Sequence, residues 1–162
     1  TLLTDKFFSI LQLDTTIEAI FYYRIERAIF LEDASHPLLD YLANLMRIKT
    51  GVELYYSTEI GKGLNIQHGS GIVIGARNKI GRNFIVHQGV TIGQRRLYSP
   101  QEAVLIGNDV TIFAGAKIVG NVRIGDNVQI GANAVLLHDA EPNSTYVGVP
   151  ARKINRDGDV EL

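Results

Sequence analysis

From Ile106 to Leu136 the chain reads IGNDVTIFAGAKIVGNVRIGDNVQIGANAVL, with an aliphatic residue at every sixth position: Ile106, Ile112, Ile118, Ile124, Ile130 and Leu136. An α-helix repeats at about 3.6 residues and a flat strand at about 2, so a sustained period of six fits neither. Hexapeptide periodicity marks a parallel β-helix, in which short strands wind round a triangular prism. The same rhythm runs earlier through Ile60, Ile66, Ile74, Ile80, Val86 and Ile92. Glycine follows the aliphatic residue at Gly61, Gly75, Gly81, Gly93, Gly107, Gly125 and Gly131, where a corner is expected to need a permissive φ. Small or β-branched residues (Val110, Ala116, Val122, Val128, Ala134) recur four positions after it.

Two breaks interrupt the rhythm. Ile66 and Ile74 are eight apart, so two residues must bulge out around Gln67-His68-Gly69-Ser70-Gly71. Ile92 and Ile106 are fourteen apart, which leaves an excursion over residues 94–105. Interruptions of a regular scaffold are where binding loops sit.

Residues 1–50 follow a helical rhythm instead. Ile17, Ile20, Phe21, Ile25, Ala28 and Ile29 share one face, and Thr15 with Glu18 reads as a capping box. A second helix is expected from Ser35-His36-Pro37, with the stripe Leu38, Leu42, Leu45 and Met46, ending at Lys49-Thr50-Gly51. A short helix is expected over Asp5–Leu11. The resulting organisation is a helical N-terminal cap (1–50), a β-helix (51–141) and a C-terminal tail (142–162). The cap would shield the open sheet edge of the first coil.

The net charge of −1 gives no electrostatic reason to expect nucleic acid. The absence of cysteine removes disulfides, thiolate catalysis and thiolate zinc sites. No apolar run approaches the roughly 18 residues of a membrane span. The opening Thr1-Leu2-Leu3-Thr4-Asp5-Lys6 lacks the features of a signal peptide. A cytoplasmic location is expected.

The ordered segments Gly51-Val52-Glu53-Leu54, Ile60-Gly61-Lys62-Gly63-Leu64, Gln67-His68-Gly69-Ser70-Gly71, Gln88-Gly89-Val90-Thr91-Ile92-Gly93, Ala114-Gly115-Ala116-Lys117-Ile118 and Val147-Gly148-Val149-Pro150-Ala151-Arg152 carry a resemblance. The chain resembles the hexapeptide-repeat acyltransferases, and within them the serine acetyltransferase-like branch. The resemblance implies a left-handed coil, a homotrimer with active sites between subunits, and transfer of acetyl from acetyl-CoA to an acceptor hydroxyl.

An alcohol needs a base to become nucleophilic, and histidine suits the task. His68 aligns with the family's catalytic histidine and lies in the bulge. Glu53 stands where the family has an aspartate that orients the histidine. For the acceptor, Gln67 replaces an acidic residue, and Glu102 and Ala103 replace an arginine–histidine pair. A zwitterionic amino acid needs both charges matched, so a neutral sugar or glycan hydroxyl is the favoured acceptor, with L-serine as the alternative. His87, Arg95 and Arg96 are the further acceptor-binding candidates. Gly93, Ala114, Gly115 and Ala116 would let the pantetheine arm approach, and Arg152 and Lys153 would meet phosphates. His36 reads as a helix-start residue and His138 as part of the last turn. No metal is expected, because a γ-carbonic-anhydrase-type zinc site needs three histidines and the repeat core offers only His68 and His87.

Overall fold

The computed structural model describes residues 9, 14–96 and 101–154. The expected Asp5–Leu11 helix lies outside these residues, apart from Ser9. Among the residues described from Asp14 onward, two helices come first, α1 (Thr15–Glu32) and α2 (Leu38–Thr50). Fifteen short strands follow, β1 (Val52–Leu54) to β15 (Arg152–Ile154).

Every third strand returns to the same face of the prism. One face stacks β1 (Val52–Leu54), β4 (Ile72–Ile74), β7 (Thr91–Gly93), β10 (Lys117–Val119) and β13 (Val135–Leu136). A second stacks β2 (Glu59–Ile60), β5 (Lys79–Ile80), β8 (Leu105–Ile106) and β11 (Arg123–Ile124). The third stacks β3 (Asn65–Gln67), β6 (Ile85–His87), β9 (Thr111–Ile112), β12 (Gln129–Ile130), β14 (Thr145–Val147) and β15. All pairings are parallel except β14 with β15, which folds back antiparallel. Five coils at about 4.8 Å per step give a prism roughly 20 Å long.

The six-residue period becomes columns of stacked side chains. Ile74, Ile92, Ile118 and Leu136 lie over one another in register, and each is fully buried. Val90, Ala116 and Ala134 fill the narrower positions and are equally buried. Each large aliphatic side chain contributes roughly 1.5–3 kcal/mol on leaving water. Neighbouring coils thus stabilise one another as solenoid repeats do.

The corner glycines answer to a different constraint from the one expected. Gly81 does not have positive φ; a Cβ there would lie 2.5 Å from the Gly107 carbonyl oxygen on the next coil. Crowding, not backbone conformation, demands glycine at this position. The left-handed conformation falls two residues after the corner glycine instead, at Asn83, Asp109, Asn127 and Asn133, with φ of 54°, 58°, 56° and 57°. Asparagine and aspartate tolerate that region better than other side chains.

Helix α1 starts one residue earlier than a Thr15–Glu18 box requires. Asp14 is the N-cap, and its carboxylate accepts from Thr16 N at 2.9 Å and Ile17 N at 3.3 Å. Hydrogen bonds from the Thr16 side chain and main chain hold that carboxyl below its ordinary pKa. Glu18 instead pairs with Lys49 of α2 at 2.8 Å. The buried face of α1 is Ala19, Tyr23 and Glu26, rotated from the expected Ile17–Ile29 stripe, and Ile17 is exposed. Leu39, Met46 and Thr50 are the buried residues of α2, whereas Leu38 is exposed. That helix ends at Gly51, whose φ is 68°, an αL cap.

The rotation of α1 has a polar cause. Tyr23 Oη donates to the Thr58 carbonyl at 2.7 Å and accepts from Ile60 N–H at 3.0 Å. Arg24 donates to the carbonyls of Ile60 and Gly61, and Arg27 to those of Tyr56 and Ser57. Side chains of α1 thereby satisfy the main-chain groups that a preceding coil would have paired.

Candidate active site

The spacing of eight resolves into a two-residue insertion, His68-Gly69. Gln67 pairs in register with His87, and the Gly89 N–H donates to the Ser70 carbonyl. His68 and Gly69 therefore have no counterparts on the coil above. Both adopt positive φ, 65° and 69°. For His68, a non-glycine residue, that conformation is uncommon. The His68 side chain is exposed. It lines a cleft of about 800 Å³ between Gly63–His68 and the N-terminal end of α1, where Asp14, Thr16, Ile17 and Ile20 face it.

Glu53 lies elsewhere. It sits on β1, half-buried, with its carboxylate 4.0 Å from the Arg47 guanidinium of α2. It lines a separate cavity of about 220 Å³ with Asp40, Asn44, Tyr55 and Tyr56. No hydrogen bond or ion pair joins Glu53 to His68 in the fold. Arg47 competes for the carboxylate, and it comes from a helix whose docking the strand pattern does not reveal.

Among the acceptor candidates, Gln67 donates to Asn65 Oδ1 at 2.7 Å. His87 stacks on Phe113, with ring centroids 5.1 Å apart and planes 28° apart. The excursion is drawn in at its base by Glu102. That carboxylate accepts from the main-chain N–H of Arg95 at 2.8 Å and of Arg96 at 3.3 Å. The Arg95 guanidinium donates to the Leu137 carbonyl at 3.4 Å, against Gly120, while the Arg96 side chain is exposed.

The donor candidates divide by packing. Ala116 is wholly in the core, and its N–H and carbonyl bond Phe113 and Thr91. It therefore packs the coil and offers no free group to a pantetheine arm. A Cβ at Gly115 would strike Asn133 Oδ1 at 2.2 Å, and the Ala114 carbonyl accepts from Asn133 N. Gly93 is different: a Cβ there would meet nothing within 4 Å. Packing among the described residues gives no reason for glycine at 93, whereas close approach of a ligand would. Arg152 is exposed, and Lys153 pairs with Glu141 at 3.1 Å. His138 Nε2 lies 2.9 Å from the Ala151 carbonyl oxygen, fastening the tail to the last coil. His36 Nδ1 accepts from Leu38 N at the start of α2.

Three residues for which the sequence suggests no structural role stand out in the fold. Lys117 reaches back one coil to Gly89 O and Thr91 Oγ1. Glu102 clamps the excursion. Gln88 buries its carboxamide oxygen without a partner. The Lys117 contact runs between coils, which no linear spacing reports. Among the described residues no group of three or more His, Asp or Glu is placed to hold a metal ion. No helix among them is long and apolar enough to cross a membrane.

A parallel prism with a histidine inserted at one corner defines a class, the hexapeptide-repeat transferases. Residues 103–138 match the Hexapep family, described as bacterial transferase hexapeptide (six repeats), whose coils wind left-handed. The chain is 38% identical over 141 residues to the serine acetyltransferase of Helicobacter pylori J99, covering 87% of this chain and 82% of that protein. It is 42% identical over 117 residues to the serine acetyltransferase of Synechococcus elongatus, covering 72% of this chain and 48% of that one. Among solved structures, the Neisseria gonorrhoeae serine acetyltransferase in complex with serine superposes with a TM-score of 0.84 at 34% identity, covering 91% of this chain and 60% of that one. A serine acetyltransferase in complex with CoA gives a TM-score of 0.81 at 33% identity, covering 90% and 60%. The chain thus spans about half the length of the Synechococcus relative. It belongs to the serine acetyltransferase-like branch of the hexapeptide-repeat acyltransferases.

Proposed function

We propose that this chain is an acetyl-CoA-dependent O-acetyltransferase with L-serine as acceptor and His68 as base. The carrying observation is the insertion of His68 at positive φ, which lifts one histidine out of an otherwise regular coil into an open cleft. Similarity to serine acetyltransferases, one bound to serine and another to CoA, supports the acceptor and the donor. It favours serine over the sugar hydroxyl expected from Gln67, Glu102 and Ala103.

The reaction is direct transfer. One ring nitrogen of His68 takes the proton of the acceptor hydroxyl as its oxygen attacks the acetyl carbonyl. Main-chain N–H groups stabilise the oxyanion. The tetrahedral intermediate collapses with cleavage of the C–S bond, and the imidazolium returns its proton to the departing thiolate. Without cysteine there is no acyl-thioenzyme, in keeping with both substrates being bound together.

The prism supports a site shared between subunits. His68 follows β3 at the corner leading to the first face, whereas Gly93 ends β7 at the corner leading to the second. A trimer of parallel prisms would set the His68 corner of one copy against the Gly93 corner of its neighbour.

The acceptor is tested by incubating the protein with acetyl-CoA and L-serine, free sugars or nucleotide sugars, and identifying the acetylated product by mass. O-acetylserine is the expected product. An acetylated sugar with no O-acetylserine would overturn the serine reading and restore the sugar acceptor.

A further inference from the structure

The cleft beside His68 has one carboxylate on its walls, and it comes from the helical cap. Asp14 is the only acidic residue lining it, and apart from His68 none of the other lining residues is ionisable. The start of α1 is held against the insertion: a Cβ on Gly69, the residue after His68, would lie 3.4 Å from Thr16 Cγ2.

The two oxygens of the Asp14 carboxylate differ. Oδ1 accepts from Thr16 N at 2.9 Å, Thr16 Oγ1 at 2.7 Å and Ile17 N at 3.3 Å. Oδ2 has no hydrogen-bond or ion-pair partner among the described residues. The bonds to Oδ1 fix the direction of the group, and those from Thr16 keep it ionised at neutral pH. The Thr16 and Ile17 N–H groups are taken up by this carboxylate, and the Glu18 N–H by the Asp14 carbonyl. What the helix start offers the cleft is therefore a charged acceptor, not the free N–H groups that an anion would need.

We propose that Asp14 is an acceptor-binding residue, its Oδ2 receiving the ammonium group of L-serine while the serine hydroxyl meets His68. This rests on L-serine being the acceptor and His68 the base. A neutral sugar hydroxyl would leave the charge uncompensated, whereas an ammonium forms a charge-assisted hydrogen bond, roughly twice as strong as a neutral one. Gln67, beside the histidine, carries no charge; the acid comes instead from α1. Choice of acceptor then belongs to the helical cap and not to the coils.

The test pairs Asp14→Asn with Asp14→Ser, read by steady-state kinetics, calorimetric titration with L-serine and melting curves. Asparagine and serine cap helices about as well as aspartate, so each keeps the start of α1 and removes the charge. Both are expected to melt near the wild-type temperature and to raise KM for L-serine about ten- to hundredfold, at unchanged KM for acetyl-CoA. Preference for L-serine over β-hydroxypropionate, which keeps the hydroxyl and carboxylate but has no ammonium, should narrow by a similar factor. A wild-type KM for L-serine in folded Asp14→Asn, or equal use of the two acceptors by wild type, would overturn this inference and leave the functional reading standing. Wild-type protein that neither binds nor acetylates L-serine would overturn both. Calorimetric binding that weakens in Asp14→Asn, in a protein without acetyl transfer, would support the contact and overturn the function.

Discussion

The hydroxyl of Tyr23 donates to the main-chain carbonyl of Thr58 at 2.7 Å while accepting from the Ile60 N–H at 3.0 Å. One side chain thus supplies both the donor and the acceptor that a neighbouring strand would have offered to β2. Tyr23→Phe keeps the buried ring and removes both bonds, leaving two main-chain groups unpaired. We expect a loss of about 2 kcal/mol, read as a lower urea midpoint at fixed protein concentration. An unchanged midpoint would mean that α1 caps the coil by apolar contact alone.

Glu26 is fully buried on the same helix face, and neither carboxylate oxygen has a partner. Burial pushes its pKa up to about 8, from an ordinary 4.5. Below the ordinary value the group is protonated in both folded and unfolded chains, and its contribution is complete. Between 4.5 and about 8 the unfolded chain releases a proton that the folded one keeps. Stability therefore falls as pH rises, on the order of 1 kcal/mol per unit. Glu26→Gln should flatten this dependence, with its advantage over wild type growing between pH 5 and 8, as measured by urea unfolding at each pH.

Gly81 and Gly93 occupy equivalent places in the hexad but face opposite surroundings. A Cβ at Gly81 would lie 2.5 Å from a main-chain oxygen, and one at Gly93 would touch nothing. Gly81→Ala is expected to destabilise the coil by about 1–3 kcal/mol or more. Gly93→Ala should melt like wild type yet raise KM for acetyl-CoA several-fold. Equal effects of the two substitutions on melting would contradict the distinction.

Glu102 holds the main-chain N–H groups of Arg95 and Arg96. Removing that carboxylate in Glu102→Ala should loosen the base of the excursion. Trypsin cleavage after Arg95 or Arg96 is then expected to speed up several-fold, while the melting temperature of the prism stays near that of wild type. Unchanged cleavage would mean that the excursion is held by other contacts.

The columns of Ile74, Ile92, Ile118 and Leu136 could be read from the sequence because a six-residue period has one stacked solution. The insertion at His68 could be read as well, because adding two residues to a fixed period leaves them nowhere else to go. The buried face of α1 could not. Counting apolar residues favours the Ile17–Ile29 stripe, but the helix turns to present Tyr23, Arg24 and Arg27 to unpaired carbonyls. The partner of Glu53 was hidden for a related reason: Arg47 reaches it from α2, and helix docking leaves no trace in strand periodicity. The corner glycines kept their positions but not their cause, since the clash at Gly81 exists only between coils.

The central claim is that His68 is the base for acetyl transfer to L-serine, and thiol release from acetyl-CoA measures it most directly. Wild-type protein should release CoA thiol only when L-serine is present. His68→Ala should lose roughly two to four orders of magnitude of that rate while melting at the wild-type temperature. Serine-dependent release that persists undiminished in folded His68→Ala would contradict the account.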